Sequence, residues 1–109
     1  LAESAHAYKV AASLAPAKAS VFSGLGNSLA LLKQLPEAAE SFGKALRLQP
    51  GDGKVYNSLG VVLWEMDSTE AAEQALETAV GLDPGFVKAR ANLDDLRAFV
   101  RQLHGKSEL

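Results

Sequence analysis

Apolar residues recur along this chain in steps of three and four, the spacing of one face of an α-helix. The apolar stripes are separated by short breaks, most of which contain proline or glycine. Ala and Leu dominate while β-branched and aromatic residues are sparse, which favours helices over strands. We therefore predict an all-α fold of about six helices, at residues 1–15, 19–33, 36–48, 54–66, 71–82 and 86–103, followed by a frayed tail at 105–109.

The helical pattern itself repeats. Residues 19–52 and 53–86 align column by column, and Pro50 and Pro84 give the offset, 34 residues. The aligned pairs are Phe22 with Tyr56, Leu25 with Leu59, Gly26 with Gly60, Leu29 with Leu63, Ala38 with Ala72, Phe42 with Leu76, and Ala45 with Ala79. A period between about 20 and 50 residues is typical of proteins in which one unit stacks on copies of itself.

The two ends of the chain are predicted to differ from the two complete copies. Residues 1–18 match the second half of a copy, because Pro16 stands one period before Pro50. The last helix has one apolar seam, and Arg90 and Asp94 replace the aromatic and the glycine of earlier copies. One apolar face and one polar, solvent-exposed face are typical of the helix that caps the end of a repeat stack.

Local signals predict close helix crossings and helix ends. A glycine inside a helix costs about 1 kcal/mol relative to alanine, so Gly26 and its counterpart Gly60 indicate that a neighbouring helix lies against the backbone. Pro36 suits the first turn of a helix. Asp67 or Ser68 is predicted to cap the helix that follows, with Glu70 completing a capping box.

The motif of each copy is aromatic-x-x-Leu-Gly-x-x-Leu, then Ala-x-x-x-Phe/Leu-x-x-Ala, then Pro, and it resembles the tetratricopeptide repeat. The departures are Gly43 and Gly81 inside second helices, and Leu76 where an aromatic is usual. The resemblance implies an α-solenoid of antiparallel helix pairs stacked into a right-handed superhelix. It divides one domain, 1–109, into a partial repeat at 1–18, repeats at 19–52 and 53–86, a capping helix at 87–104 and a tail at 105–109.

Composition narrows the classes of partner. The net charge is −2 and the charges are interspersed, so no basic patch indicates nucleic acid. No apolar run reaches the roughly 18 residues of a membrane span. With no cysteine there is no disulfide or thiolate chemistry. We expect a cytoplasmic protein, with the periplasm as the alternative.

No set of residues suggests catalysis. His6 and His104 are expected at opposite ends of the stack, and Gly24-Leu25-Gly26 lacks the third glycine of a nucleotide-binding loop. The glutamates that share helical faces, interpreted as solvated, are Glu37 and Glu40, and Glu70, Glu73 and Glu77. We predict a non-enzymatic protein with no cofactor and no metal site.

One stripe of the first helix in each copy is not needed for the core. In the tetratricopeptide family the first helices line a concave groove that contacts peptides, so the resemblance implies a protein or peptide partner. The residues implied to bind it are Ser23, Asn27, Lys54, Asn57, Val61, Trp64, Lys88, Asn92 and Asp95. Trp64 is the expected aromatic anchor, and packing against the next repeat is its alternative. For Asn27 and Asn57, the alternative to binding a partner is that their side chains are ordinary solvated amides.

Some members of the family grip the C-terminal carboxylate of chaperones with lysines, asparagines and an arginine. The corresponding positions here are Ser23, Asn27, Ser58, Lys88 and Asn92. Only Asn27 and Lys88 match, and the missing cations are the main partners of a carboxylate. This subtype is therefore not expected.

Three functions remain. The first is an interaction scaffold that holds a peptide or helix of a partner in the concave groove. The second is self-assembly into homo-oligomers, because the helix at residues 1–15 lacks the partner helix that would cover its apolar side. Another copy of the chain is expected to cover this side, with an upstream helix absent from this sequence as the alternative. The third is a repeat segment of a larger enzyme.

Overall fold

The computed structural model describes residues 2–14 and 18–107. Its helices are α1 Ala2–Leu14, α2 Ala19–Leu31, α3 Leu35–Leu48, α4 Gly53–Glu65, α5 Thr69–Leu82 and α6 Val87–Ser107. Each packs against its neighbours in sequence, and the first helices α2, α4 and α6 also touch one another in that order. The stack measures 55 × 27 × 19 Å. The predicted all-α fold of six helices is confirmed for the described ranges.

The core runs through the stack between the first and second helices. Leu25 is buried, and Leu59 is half-buried against the cluster that contains Leu25. Leu93 is buried in a second cluster with Leu76 and Leu96. The largest fully buried side chains are Phe42, Leu76, Leu96 and Val62. Each such side chain contributes roughly 1.5–3 kcal/mol through burial. Within the described ranges, no helix combines the length and the apolar character needed to cross a membrane.

The repeated glycines mark the helix crossings, as predicted. A Cβ atom added to Gly26 would lie 2.7 Å from Cε1 of Phe42, and one added to Gly60 would lie 2.7 Å from Cγ of Leu76. Both distances are too short for carbon atoms in contact. Phe42 and Leu76 are 1% and 0% exposed, respectively, so neither side chain has room to withdraw. The second helix of each pair is therefore seated on the backbone of the first.

Gly24 has a different partner, which the repeat pattern did not identify. A Cβ at this position would collide with the aromatic ring of Tyr8 in α1. This contact and the buried Ala5 hold α1 against α2. Tyr8 as a whole is 36% exposed, so its side chain contacts Gly24 and is also partly open to solvent.

The first helices α2 and α4 end in the same turn, and this turn corrects the predicted capping box. Asp67 adopts φ 62 and its N–H donates to Trp64 O, while Ser68 N–H donates to Leu63 O. These two bonds form a Schellman motif, which normally places glycine where Asp67 stands. Ser68 is the N-cap residue of α5, but its side chain makes no cap hydrogen bond. The turn that ends α4 therefore fixes the backbone of this segment. The predicted capping box with Glu70 is not formed, because Ser68 makes no side-chain cap hydrogen bond.

Lys33 stands one period before Asp67 and repeats its geometry. Its φ is 63, its N–H donates to Ala30 O at 3.0 Å, and Gln34 N–H donates to Leu29 O at 2.9 Å. The predicted end of this helix at residue 33 is therefore wrong, and α2 ends at Leu31. The left-handed residue stops the helix two positions earlier.

Other helix ends shift by one or a few residues. The helix α4 begins at Gly53 because Asp52 accepts hydrogen bonds from the N–H groups of Lys54 and Val55. The helix α6 begins after Phe86, whose N–H closes the turn by donating to Asp83 O at 3.0 Å. The start of α5 is at Thr69, two residues before the prediction. Pro36 lies in the first turn of α3, as predicted.

The expected frayed tail at 105–109 is wrong as far as Ser107, where α6 ends. An existing helix gains one backbone hydrogen bond per added residue, so the cost of Gly105, about 1 kcal/mol, does not stop it. Residues 108–109, together with residues 1 and 15–17 at the ends of the first predicted helix, lie outside the described residues.

The acidic face of α5 is paired rather than simply solvated. Arg97 of α6 donates from Nε to Glu73 at 3.3 Å and from Nη2 to Glu77 at 3.1 Å. The hydrogen bond to Glu77 is the largest cause that raises the pKa of Arg97 above its ordinary value. The sequence interpretation missed this base because it lies on the next helix.

The two glycine environments predict opposite effects of the same substitution. We expect Gly60→Ala to lower the free energy of unfolding by about 1–3 kcal/mol, because its Cβ has no space beside Leu76. Gly81→Ala is the matched control, because nothing lies within 4 Å of the added Cβ in α5. It should raise the free energy of unfolding by about 0.5–1 kcal/mol. Urea denaturation of both variants measures this difference, and equal shifts would contradict the crossing geometry.

The left-handed turn gives a second prediction. A non-glycine residue at positive φ costs roughly 1–2 kcal/mol, so Asp67→Gly should raise the melting temperature. Asp67→Val should lower it, because a β-branched side chain is strained in this region. Thermal unfolding followed by circular dichroism measures the three melting temperatures, which should decrease in the order Gly, Asp, Val at position 67. Any other order would mean that the turn is not held at positive φ in solution.

Candidate functional site

The first helices α2, α4 and α6 line one open cavity of ≈ 600 Å³, which we name the inner groove. Its lining residues are Asn27, Ala30, Leu31, Lys33, Phe42, Asn57, Ser58, Val61, Val62, Glu65, Lys88 and Asn92. The apolar members include Leu31, which is 63% exposed. An apolar floor with several converging polar groups is the usual make-up of a binding site.

A smaller cavity of ≈ 210 Å³ adjoins the inner groove and shares Asn27, Phe42 and Ser58 with it. It adds Ser23 from α2, the N-cap residue Asp52, and Lys54 and Val55 from the first turn of α4. Together the two cavities follow the exposed stripe of the first helices.

The structure brings most of the predicted site residues together. The inner groove contains Asn27, Asn57, Val61, Lys88 and Asn92, and the adjoining cavity contains Ser23, Lys54 and, again, Asn27. Trp64 and Asp95 line neither of these two cavities. The stripe is therefore largely continuous, but it does not reach its two predicted members furthest along α4 and α6.

Trp64 packs between α4 and α6. Its ring centroid lies 6.0 Å from that of Phe99, with the ring planes tilted by 48°. It also packs, half-buried, against the core cluster that contains Leu76, Leu93 and Leu96. Packing against the following helix, the alternative stated for Trp64, is what these contacts describe. Asp95 is exposed.

Asn57 and Asn92 are joined across the inner groove. Nδ2 of Asn92 donates to Oδ1 of Asn57 at 2.9 Å, and this bond links α6 to α4. Asn57 is only 7% exposed, so it is not an ordinary solvated amide. Asn27 is exposed, in contrast.

The charges around the cavities are unevenly paired. Lys33 donates to Glu65 at 3.0 Å, which neutralises one end of the inner groove. Among the residues that the structure describes, Lys54 and Lys88 form no ion pair. The inner groove, lined by Lys33, Lys88 and Glu65, therefore has one more positive than negative side chain, although the whole chain carries −2. In the adjoining cavity the charge of Lys54 is balanced by that of Asp52.

Sequence reasoning missed several members of the site. Lys33 belongs to a turn rather than to the helical stripe, and Phe42 comes from a second helix, so the periodic pattern gave no signal for either. Ser58 was considered only as a carboxylate-clamp position, and its hydroxyl donates to Lys54 O at 3.2 Å. Leu31 and Glu65 lie on the predicted stripe of the first helices but were not among the residues implied to bind a partner.

The arrangement offers hydrogen-bond donors, acceptors and positive charge above apolar contacts, which suits binding. Within the described ranges, no three His, Cys, Asp or Glu side chains are placed to hold a metal ion. The described His6 and Arg97 are outside the lining of the inner groove.

Solved structures with the same architecture include domains that hold peptides. The first tetratricopeptide repeat of Spaghetti (RPAP3), bound to the HSP90 peptide SRMEEVD, superposes with a TM-score of 0.85 at 18% identity, over 89% of this chain and 77% of that one. The second such domain of human RPAP3, in complex with the HSP70 peptide SGPTIEEVD, superposes with a TM-score of 0.81 at 19% identity. The match covers 85% of this chain and 78% of that one. The tetratricopeptide repeat domain of Arabidopsis OM64 superposes with a TM-score of 0.83 at 21% identity, over 86% of this chain and 78% of that one.

At these identities the likeness to solved structures concerns the fold. A comparison with curated protein sequences finds no match. A family model described as the tetratricopeptide repeat matches residues 1–53 and 25–85, most of the sequence. With the 34-residue motif, the stacked helix pairs and the glycine crossings, this match means that the chain belongs to the tetratricopeptide repeat family.

Proposed function

We propose that this chain is a non-catalytic scaffold that binds an extended, acidic peptide segment of a partner protein in the inner groove. The observation that carries the proposal is the groove itself, a cavity of ≈ 600 Å³ shared by three successive first helices. Its position along the stack suits an elongated ligand better than a compact one.

The charges favour an acidic segment. Lys88 is exposed and forms no ion pair among the described residues, whereas Lys33 is paired with Glu65. The ammonium group of Lys54 likewise forms no described ion pair, although Asp52 lines the same cavity. A ligand carboxylate would gain a charge-assisted hydrogen bond from either free lysine. The exposed Leu31 and half-buried Val61 would contact apolar side chains of the same segment.

The comparisons support the same class of ligand. Both domains of RPAP3 are described with peptides that contain the acidic run Glu-Glu-Val-Asp in the printed sequences SRMEEVD and SGPTIEEVD. From this likeness we infer that the present chain also binds a peptide in its groove. The likeness does not identify which peptide it binds. Self-assembly through α1 stays a second hypothesis, which is supported by the exposed apolar side chains of Tyr8 and Val10.

A charge reversal on α6 tests the proposal. We expect the chain to bind acidic nonapeptides selected from a random library, and Lys88→Glu to weaken their binding about 10-fold or more, because attraction is replaced by repulsion. Binding should also weaken as salt rises. Fluorescence anisotropy with labelled peptides measures both effects.

Arg90→Glu is the matched control, because Arg90 is exposed on the same helix and lines neither cavity. It makes the same change in net charge and should leave the affinity within about twofold. Selection of no peptide, or equal losses for the two variants, would count against the inner groove as the binding site.

A further inference from the structure

The turns that lead from second helices into first helices lie along one edge of the stack, which we name the turn edge. It comprises residues 18–20 before α2, 47–54 between α3 and α4, and 81–88 between α5 and α6. The first helices contact one another in order, so their starting ends follow the same side of the stack. Lys54 of one turn and Leu82 of the next line a common cleft of ≈ 470 Å³. The two turns are therefore neighbours and form one surface.

Apolar side chains protrude from the turn edge. Val87 is 76% exposed, the largest exposed fraction among the large hydrophobic side chains of the described ranges, and Leu48 and Leu82 are also exposed. Leu82 and Val87 stand on either side of one turn, and Leu48 stands one period before Leu82 in the neighbouring turn. A single exposed apolar residue is ordinary, but three at the tips of adjacent turns form an apolar ridge that needs a reason.

Basic residues flank this apolar ridge. The turn edge contains four of the 11 basic residues of the chain and two of its 13 acidic residues, Asp52 and Asp83. Asp52 is occupied as the N-cap of α4, where it accepts hydrogen bonds from backbone N–H groups. The basic side chains, all exposed and without an ion pair in the described ranges, are Lys18, Arg47, Lys54 and Lys88.

The turn edge is therefore basic on a chain that is acidic elsewhere. It carries four positive charges against two negative ones, while the remaining sequence has seven basic residues against 11 acidic ones. The four cations come from separate places in the sequence, which is why the charges are interspersed along the chain. Folding brings them to the same edge as the apolar ridge.

We propose that the turn edge binds the surface of a membrane that contains anionic lipids. Leu48, Leu82 and Val87 insert between the headgroups, and the surrounding lysines and arginine contact the lipid phosphates. Binding of this kind grows with the apolar area that enters the interface and with the attraction of basic residues to anionic lipid. It needs no membrane-spanning helix, because only the tips of the turns enter the interface.

The apolar ridge distinguishes a membrane from other acidic partners. The phosphates of a nucleic acid would pair with the cations but would leave Leu48 and Val87 in water. Neither of these two side chains lines the cleft at the turn edge, the inner groove or its adjoining cavity. They protrude rather than enclose a ligand, and a lipid interface accepts protruding side chains without a matching pocket.

Co-sedimentation of the full chain with vesicles tests the charge of the surface. We expect binding to vesicles of equal parts phosphatidylcholine and phosphatidylserine, no binding to phosphatidylcholine alone, and weaker binding as salt rises. Arg47→Glu should weaken binding about 10-fold or more, because attraction is replaced by repulsion. Arg47 lines neither the inner groove nor its adjoining cavity, so peptide binding should be unchanged.

Arg101→Glu is the matched control for this charge reversal. Arg101 is exposed on α6 and forms no described ion pair, and it lies about 20 Å further along this helix than Lys88. The variant has the same net charge as Arg47→Glu and should bind the mixed vesicles within about twofold of the wild type.

Two substitutions at Val87 test insertion of the apolar ridge. Val87→Ser should weaken vesicle binding about 3- to 10-fold, with the fold unchanged by circular dichroism. Leu103→Ser is its control, because Leu103 is exposed near the far end of α6. Val87→Trp reports insertion directly, since Trp64 is the only tryptophan of the sequence. Mixed vesicles should shift the emission of Val87→Trp to shorter wavelengths and leave that of the wild type unchanged.

Each outcome decides for or against the membrane. Losses for Arg47→Glu and Val87→Ser that the two controls do not share, together with the emission shift, support the proposal. An absence of binding to mixed vesicles, or equal losses for Arg47→Glu and Arg101→Glu, overturns it. Equally strong binding to double-stranded DNA that Val87→Ser does not weaken would also overturn it, and would assign the turn edge to nucleic acid.

Discussion

The close crossing of the two helices within each repeat is the contact on which the rest of the structure depends. Phe42 lies against Gly26 and Leu76 lies against Gly60, at distances that leave no room for a Cβ atom. Because the second helix approaches so closely, its small residues Ala45 and Ala79 are also buried. The seating of each second helix fixes the position of the first helix, and hence the face that the first helix presents to the groove.

The groove follows from this constraint together with the offset of the repeats. The second helices take up the core contacts on one side of α2, α4 and α6, so the opposite stripe remains open. The open stripe is held in place by contacts between first helices rather than by a core of its own. These are the Lys33–Glu65 ion pair, the Asn57–Asn92 hydrogen bond and the Trp64–Phe99 ring contact.

These three contacts have different physical characters, and they divide the stripe into regions. The ion pair is 71% and 39% exposed at its two side chains, so solvent screens it and it contributes little to stability. The aromatic contact belongs to the core at the α4–α6 junction, which is why Trp64 does not line the inner groove. The amide pair lies about two turns earlier on α4 than Trp64 and Glu65, with Asn57 buried and Asn92 half-buried.

The sequence alone determined the architecture, because its signals are local and are repeated. Helical periodicity, the 34-residue offset and the glycines at Gly26 and Gly60 each specify the same stack of helix pairs. The same periodicity placed Asn27, Asn57, Val61, Lys88 and Asn92 on one face, and all five line the inner groove. A stripe on a helix can be calculated from spacing, since side chains three and four positions apart share a face.

Only the tertiary structure decided what each member of that stripe does. Trp64 lies on the stripe, but its contact with Phe99 depends on how far α6 is rotated against α4, which spacing within either helix does not specify. The predicted capping box is absent, because Asp67 adopts a left-handed conformation and the backbone hydrogen bonds at the end of α4 fix the turn. Asn57 and Asn92 form a pair only because two separate helices meet, and the partner of a buried polar group is set by the fold as a whole.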